Sequence, residues 1–179
     1  MRASTFLKHC ANLSRSPYAT KHAKVHFVMP EITVGPPRPE DQTAWRDLFV
    51  GYRRFYKMED DEAVVARVWD WINDPAHPTE CLLARLPDGK PIGLAHFRDL
   101  PRPLSGSSAG FLDDLFVLEE HRGSGAADAL VNAIAAIGKT RDWAWLRWFT
   151  AEDNYRGRGF YDRVAHATPW KTYQVDIQG

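Results

Sequence analysis

Apolar residues recur along the chain at helical spacing in some stretches and at strand spacing in others. Between residues 45 and 56 they recur every three or four positions, and the same spacing returns from 64 to 72, which predicts two amphipathic helices. Asp60 and Asp61 stand where the second of these helices would begin, and aspartate is a preferred helix-capping residue. Two further helices are predicted over residues 125–137 and 154–164.

Short runs rich in β-branched, aromatic and aliphatic residues separate these helices. They predict six strands, at residues 32–34, 81–86, 91–97, 111–118, 143–150 and 172–177. Asp88 and Gly89 indicate a hairpin between the second and third strands, and the Pro-, Ser- and Gly-rich residues 99–110 predict a loop. The order β-α-α-β-β-β-α-β-α-β predicts one domain of the α/β or α+β class with a mixed sheet.

Composition and charge narrow the class of protein. The chain has 179 residues, which suits one domain with one sizeable core. Its 23 Lys and Arg balance its 23 Asp and Glu, so no nucleic-acid or membrane partner is predicted, and no apolar run is long enough to span a bilayer. Cys10 and Cys81 lack paired spacing, which favours a reduced intracellular setting over a disulfide framework. The seven histidines show no metal-ligand spacing, so no metal is predicted.

The first 28 residues differ from the rest because they contain basic and hydroxyl residues and no acidic residue. This composition is typical of a mitochondrial transit peptide. It also fits a start codon placed upstream of a chain that begins at Met29, and we favour this second interpretation because MPEITV leads directly into the first strand. The domain is therefore predicted over residues 29–179, and the location as cytoplasmic, with a mitochondrial location as the alternative.

The segment LDDLFVLEEHRGSGAADAL, residues 112–130, contains the strongest chemical signal. Gly123 and Gly125 allow the backbone to approach a ligand closely and to turn several N–H groups toward it. The helix that follows adds unpaired N–H groups and the positive end of its dipole, and Arg122 adds a full charge. These features indicate a phosphate cradle, with an ordinary glycine turn as the alternative. A P-loop would need a Lys-Ser/Thr pair after the glycines, and a dinucleotide fingerprint would need glycine in place of Asp128.

Read from residue 122, the loop has the pattern Arg-x-x-Gly-x-Ala and resembles motif A of the GNAT N-acetyltransferase superfamily. Asn154 and Tyr161, seven residues apart, resemble the family's next motif, although Gly157 stands where an alanine is usual. LDDLFV, WFTAEDN and FYDRVA are most similar to the branch of the yeast histone and D-amino-acid acetyltransferases, and LDDLFV also resembles the diamine and spermidine acetyltransferases. Over residues 31–177 the resemblance implies a mixed, mostly antiparallel sheet of six to seven strands flanked by about four helices.

The resemblance also implies acetyl-CoA as the co-substrate. The pyrophosphate would lie on the glycine loop, and the pantetheine arm would pair with the backbone of the preceding strand. Asn154 would contact the cofactor, cap the following helix, or do both. The implied cofactor-binding residues are Leu115, Phe116, Val117, Arg122, Gly123, Ser124, Gly125, Ala126, Ala127 and Asn154.

Acetyl transfer from a thioester to an amine needs a neutral amine and a proton for the leaving thiolate. Tyr161 stands where the family places the general acid, with a core tyrosine as the alternative. Asp113 and Asp114 are predicted to point to opposite faces of a regular strand unless a bulge breaks the alternation. We assign Asp113 as the base or proton relay and Asp114 as the acid that positions the substrate, and the alternative is that both cap loops. Tyr52 and Tyr56 are assigned to the acceptor wall, although core packing explains them almost equally well.

Together these assignments predict an acetyl-CoA-dependent N-acetyltransferase that acts on a primary amine by direct attack. A diamine or polyamine acetyltransferase, and a non-catalytic acyl-CoA-binding module on the same fold, are the alternatives. The acceptor would be a small molecule or a protein amine, and family analogy predicts a homodimer. Ser108 matches a nucleophile-elbow pattern but follows a Pro-rich loop, so it is set aside. His96 is interpreted as a packed or hydrogen-bonded residue and not as a base.

Overall fold

Five strands form one mixed sheet in the computed structural model, which describes residues 31–177. The predicted extension over residues 1–28 lies outside the described residues. The strands are β1 Thr33–Gly35, β2 Glu80–Arg85, β3 Pro91–Arg102, β4 Ser107–Val117 and β5 Trp143–Arg147, and they lie in the order β1-β2-β3-β4-β5. Neighbouring strands are antiparallel except for β4 and β5, which are parallel. No helix in this part of the chain is long and apolar enough to cross a membrane.

Four α-helices cover the two faces of the sheet, as predicted. They are α1 Gln42–Phe55, α2 Glu62–Asn73, α3 Ala126–Thr140 and α4 Tyr155–Val164. The apolar sides of α1 and α2 pack on one face, around Trp45, Leu83 and Leu94. The apolar side of α3 packs on the other face, where Leu130 and Ile134 are fully buried. The sheet is therefore the central layer, and burial of apolar side chains on both of its faces stabilises the fold.

Two predictions about the sheet are wrong. Residues 172–177 form no strand, so the described chain has five strands and not six to seven. The predicted loop over residues 99–110 is mostly the end of a long hairpin, because β3 continues to Arg102 and β4 begins at Ser107. Gly110 is needed for packing and not for a turn, since a Cβ there would overlap the Trp143 ring. Cross-strand pairing and this packing outweigh the local preference of Pro, Ser and Gly for loops.

A bulge interrupts the pairing of β3 and β4. His96 lies opposite Asp114 and Phe97 lies opposite Leu112, so Asp113 has no opposite residue. An extra residue of this kind bends a strand and resets the alternation of its side chains. Leu112 and Leu115 accordingly both pack on the α3 side of the sheet.

The sheet forks at the bulge. The pairing of β4 with β5 ends at Phe111 and Arg147, whereas β4 continues to Val117. Within residues 31–177, the part of β4 after Phe111 therefore has no strand beside it on the β5 side. Its free backbone groups are open to a ligand.

Candidate active site

A cleft with a volume of ≈ 480 Å³ lies at this fork and opens between α1, the glycine loop and α4. Its volume is within the range of small-molecule sites. Of the predicted site residues, only Ser124 and Asp114 are not part of its wall. The others line it together: Tyr52, Tyr56, Asp113, Leu115, Phe116, Val117, Arg122, Gly123, Gly125, Ala126, Ala127, Asn154 and Tyr161.

The glycine loop has the geometry of an anion site. Gly123 has φ 85° and Gly125 has φ 88°, a region that residues with a side chain rarely adopt. The backbone N–H groups of Gly123, Gly125 and Ala127 donate to no acceptor among residues 31–177. They lie at the start of α3, where the helix dipole favours negative charge. Arg122 lines the same cleft and donates to Glu119 at 3.1 Å.

Ser124 supports the shape of this loop from outside the cleft. Its backbone N–H donates to the carbonyl of His121 at 3.2 Å, and its Oγ accepts from the N–H of Ala126 at 3.4 Å. Ser124 does not line the cleft, so its predicted contact with the cofactor stays a prediction.

Asn154 is the N-cap of α4 and also lines the cleft. Its Oδ1 accepts from the backbone N–H of Gly157 at 3.1 Å, and its Nδ2 donates to Thr150 Oγ1 at 3.0 Å. A Cβ at residue 157 would lie 2.5 Å from the Asn154 amide nitrogen. Glycine at this position therefore allows the capping geometry.

Asp113 and Asp114 lie on the same side of the sheet, which corrects the prediction of opposite faces. Asp113 accepts from Arg98 Nε at 3.1 Å, and Asp114 pairs with His96 Nδ1 at 2.8 Å. His96 and Arg98 are two residues apart in β3 and thus share a face. The bulge at Asp113 is the physical reason, because the extra residue turns both carboxylates toward the side of α1.

The environment of the cleft shifts the pKa values of its acid and its phenols. Burial raises the pKa of Asp113 against the opposing effect of Arg98, and the charge of Asp114 raises it further. Burial, followed by the proximity of Tyr56, raises the pKa of Tyr161 to about 12. Burial and the Asp114 carboxylate raise the pKa of Tyr52 well above its ordinary value. Both phenols are therefore protonated at neutral pH and can donate a proton, while a carboxylate with a raised pKa is a stronger base.

A hydrogen-bond chain that runs from Trp45 through His96 holds the Asp114 carboxylate in place. Trp45 Nε1 donates to His96 Nε2 at 3.1 Å, and an indole N–H is only a donor, so Nε2 must be without a proton. The proton is therefore assigned to Nδ1, which donates to Asp114. Burial lowers the pKa of His96, but Cys81 and Asp114 raise it by more, so these effects together favour the charged ring. The hydrogen bond from Trp45 opposes them. A second proton would oppose the indole N–H, so the hydrogen-bond geometry favours the neutral ring. His96 is thus a hydrogen-bonded buried residue, as predicted.

Sequence reasoning missed two arginines of α4 that line the cleft, Arg156 and Arg163. Arg163 donates to both carboxylate oxygens of Asp128, at 2.7 and 3.0 Å, and so ties α4 to the first turn of α3. The two arginines are seven residues apart and therefore share a helix face. That spacing is the signal by which they could have been found.

Comparisons with known proteins agree with this architecture. The model of the Acetyltransferase (GNAT) family matches residues 43–166. The D-amino-acid N-acetyltransferase HPA3 of Saccharomyces cerevisiae is 25% identical over 149 residues, which cover 83% of this chain and 92% of the relative. A ribosomal-protein-alanine N-acetyltransferase from Brucella melitensis biovar Abortus 2308 matches with a TM-score of 0.70 at 27% identity, over 82% of this chain and 99% of its own.

The aminoglycoside N-acetyltransferase AAC(6')-Iy, whose solved structure contains CoA, has the same fold. It matches with a TM-score of 0.68 at 18% identity, over 83% of this chain and 97% of its own. The family match covers more than half of the chain and includes the glycine loop, the forked strand and all of α4. The chain therefore belongs to the GNAT family of acetyltransferases and is an N-acetyltransferase.

Proposed function

We propose that this enzyme transfers the acetyl group of acetyl-CoA to a primary amine by direct attack, with Asp113 as the base or proton relay and Tyr161 as the general acid. The observation that supports this proposal most strongly is that both side chains line one cleft, Asp113 from the bulge in β4 and Tyr161 from α4. Such an arrangement allows a base and an acid to serve the two ends of one reaction.

The residues around the cleft fit acetyl-CoA. The free N–H groups of the glycine loop, Arg122 and the start of α3 suit a pyrophosphate. Leu115, Phe116 and Val117 lie on the part of β4 that has no strand on its β5 side, where backbone groups can pair with the amides of the pantetheine arm. Asn154 adds an amide at the entrance to α4. Holding both reactants in this way supplies much of the rate enhancement in a two-substrate transfer.

The proton transfers balance with these two residues. Acceptor amines are mostly protonated near neutral pH, since a lysine-like pKa is about 10.4. Asp113 removes a proton from the ammonium, directly or through water, and the freed lone pair forms the new N–C bond. The C–S bond breaks, and the sulfur takes the proton of the Tyr161 hydroxyl. The tyrosinate regains a proton from the nitrogen of the new N–C bond, directly or through water, and Asp113 gives its proton to the solvent. The products are the acetylated amine and the CoA thiol.

A row of arginines and aromatic rings extends from Asp113 along the same side of the sheet. We call it the arginine strip; it contains Arg98, Phe111, Arg147, Trp145 and Arg102. Arg98 lies 4.9 Å from the centre of the Phe111 ring, and Arg147 and Arg102 lie 4.1 and 5.0 Å from the Trp145 ring. Phe111 and Arg147 are opposite one another on β4 and β5, so the strip is continuous.

The charge of the arginine strip favours one class of acceptor amine over another. Arg102 and Arg147 form no salt bridge with any carboxylate of residues 31–177. Positive charge without a carboxylate partner, near the end of the cleft that would bind the acceptor, would repel a diamine or polyamine. It would attract an amine that also carries a carboxylate. We therefore propose amino acids and peptide-like amines as acceptors in preference to polyamines. The yeast relative is named for a substrate of this chemistry, D-amino acids.

The first experiment tests the enzyme assignment. Release of CoA thiol is measured over a panel of amino acids, amino-acid amides, peptides and polyamines, with Tyr161→Phe as the variant and Tyr155→Phe as the control. Tyr155 is on the same helix and is exposed. Tyr161→Phe should lower kcat by about 10²–10⁴-fold with unchanged acetyl-CoA affinity, since only the transition state needs the proton. Thiol release by no amine of the panel would instead indicate a non-catalytic acyl-CoA-binding module.

A second experiment tests the acceptor class. Arg147→Gln should raise KM for amino acids and leave KM for their amides unchanged, because only the carboxylate meets the lost charge. Arg67→Gln makes the same change of charge on the exposed side of α2 and serves as the control. Equal changes in KM for amino acids and for their amides would show that the arginine strip is not part of the acceptor site.

A further inference from the structure

His96 is a buried polar residue that takes no part in the proposed proton transfers. Its side chain is 1% exposed, and its ring lies 5.9 Å from the Trp45 ring and 5.5 Å from the Phe49 ring, both of α1. Cys81 of β2 lies opposite it in the sheet. Burial of a polar ring costs free energy that an apolar residue of similar size would not cost. The hydrogen bonds of this ring therefore indicate what the position is needed for.

The two hydrogen bonds of the ring run in one direction. The indole N–H of Trp45 can only donate, so Nε2 of His96 accepts and Nδ1 carries the proton. Nδ1 donates to Oδ2 of Asp114 at 2.8 Å, a distance typical of hydrogen bonds to a carboxylate. A ring turned by half a revolution would lose both bonds. His96 is thus a fixed donor that holds the Asp114 carboxylate in one orientation.

The same carboxylate lies beside Tyr52, a residue of the cleft wall. Burial raises the pKa of the Tyr52 hydroxyl, and Asp114 raises it further, by its charge and as a hydrogen-bond acceptor. A phenol that donates to Asp114 leaves its oxygen lone pairs free, so a ligand in the cleft can donate to that oxygen. Helix α1 therefore contacts Asp114 twice, directly through Tyr52 and indirectly through Trp45 and His96.

The two neighbouring aspartates differ in the charge of their partners. Asp113 accepts from the cationic side chain of Arg98 at 3.1 Å, which compensates its charge. Asp114 accepts from the His96 ring, which the hydrogen bond from Trp45 keeps neutral, and no arginine or lysine of residues 31–177 forms a salt bridge with it. The charge of Asp114 is therefore the one that can attract a cation.

We propose that His96 is a positioning residue for the acceptor: it holds the Asp114 carboxylate against Tyr52, so that an acceptor ammonium binds at the Tyr52 oxygen, next to the base Asp113. The inference rests on the proposed function, because it states how the amine reaches the proposed base. Along β4, Asp114 and the arginine strip lie on opposite sides of Asp113. The ammonium and the carboxylate of an amino acid would thus each face the opposite charge.

Two replacements of His96 separate its two hydrogen bonds. Glutamine can place its amide oxygen near the position of Nε2 and accept from Trp45, but it has no N–H near the position of Nδ1. Asparagine can place an N–H near Nδ1 and donate to Asp114. In His96→Gln, kcat/KM for the acceptor amine should fall about 10–100-fold, which is the effect of one hydrogen bond to a charged group. In His96→Asn it should fall much less, and acetyl-CoA affinity should be unchanged in both variants.

Val65→Ala is the control for a loss of stability. Val65 is 4% exposed and belongs to the same apolar cluster as Trp45, but it takes no part in the hydrogen-bond chain. The cavity left by its truncation should lower the melting temperature. The kcat/KM for the amine should stay unchanged, because the donor to Asp114 is still present.

NMR of the unmodified protein tests the chain without turnover and without a variant that has to fold. The ¹⁵N resonances of the His96 ring should show a proton on Nδ1 and none on Nε2. Titration with the amines of the thiol-release panel, in the presence of CoA, should shift the Nδ1 resonance until it saturates. Lactate, which has the carboxylate of alanine but no ammonium, should not shift it.

Three results would overturn the proposal. Equal losses of kcat/KM in His96→Gln and His96→Asn, or no loss in either, would mean that His96 serves packing alone. A proton on Nε2 would reverse or break the chain from Trp45. An Nδ1 resonance that no amine shifts would mean that the ammonium does not bind beside Asp114. Thiol release by no amine would refute the proposed function instead, and the titration would still show whether the amine binds at this place.

Discussion

Replacing Asn154 with alanine should lower the melting temperature and weaken acetyl-CoA binding, and the two effects can be separated. Loss of an N-cap side chain costs about 0.5–2 kcal/mol. For a chain of this size, each kcal/mol corresponds to about 2–4 °C, so the melting temperature should fall by roughly 1–8 °C. The loss arises because the N–H of Gly157 loses its acceptor and Thr150 loses the donor from Nδ2.

The melting temperature and the acetyl-CoA affinity of a second variant, Asn154→Asp, separate the capping role of Asn154 from its proposed contact with the cofactor. Asn154→Asp retains an oxygen that can accept from Gly157 and adds a negative charge at the start of α4, where the helix dipole favours it. This variant should melt close to the unmodified protein. The same charge would repel the phosphates of acetyl-CoA, so its affinity, measured by calorimetry, should be lower than that of the unmodified protein.

The reasoning fails if Asn154→Ala melts at the unchanged temperature, because the cap would then contribute nothing. It fails in its second part if Asn154→Asp binds acetyl-CoA as tightly as the unmodified protein. In that case Asn154 serves only as a cap, and its spacing from Tyr161, which resembles the family motif, follows from the position of α4.

Three further variants test other parts of the structure. Arg122→Ala should weaken acetyl-CoA binding in calorimetry without changing the melting temperature, and equal affinity would remove this residue from the pyrophosphate site. Asp41 and Arg85 form a buried pair at 2.6 Å, and although burial opposes ionisation, the Arg85 hydrogen bond lowers the pKa of Asp41. Asp41→Asn should cost about 3–5 kcal/mol in urea unfolding at neutral pH, and less as the pH falls through the lowered pKa, where the native pair is lost as well. Trp45→Phe leaves His96 Nε2 without its donor and should cost at least about 1–3 kcal/mol, with a shift of the Nε2 resonance in ¹⁵N NMR.

The sequence predicts best those features that depend on local conformation. Gly123 and Gly125 have the positive φ that only glycine adopts freely, so the loop is visible in the sequence. Asp61 caps α2 as predicted, by accepting from Ala63 and Val64. The four helices are visible for the same kind of reason, since their apolar faces repeat within one segment.

Features that depend on a distant segment are not visible in the same way. The bulge at Asp113 is a property of the pairing between β3 and β4, and nothing in the residues of β4 alone specifies it. The alternation over residues 172–177 indicates an amphipathic extended chain, but a strand also needs a neighbour to pair with, and these residues pair with no strand among residues 31–177. The position of His96 between Trp45 and Asp114 joins three segments far apart in the chain.

The bulge also determines where a residue can be deleted from β4 without changing how the sheet packs. Loss of one residue elsewhere in β4 would reverse every side chain on one side of the deletion, because the faces of a strand alternate. Loss of Asp113 would instead join Leu112 to Asp114 in regular alternation and leave the pairs of His96 and Phe97 unchanged. The proposed base therefore occupies a position that in-frame deletion can remove without disturbing the apolar faces, so the chemistry of this strand can evolve separately from its packing.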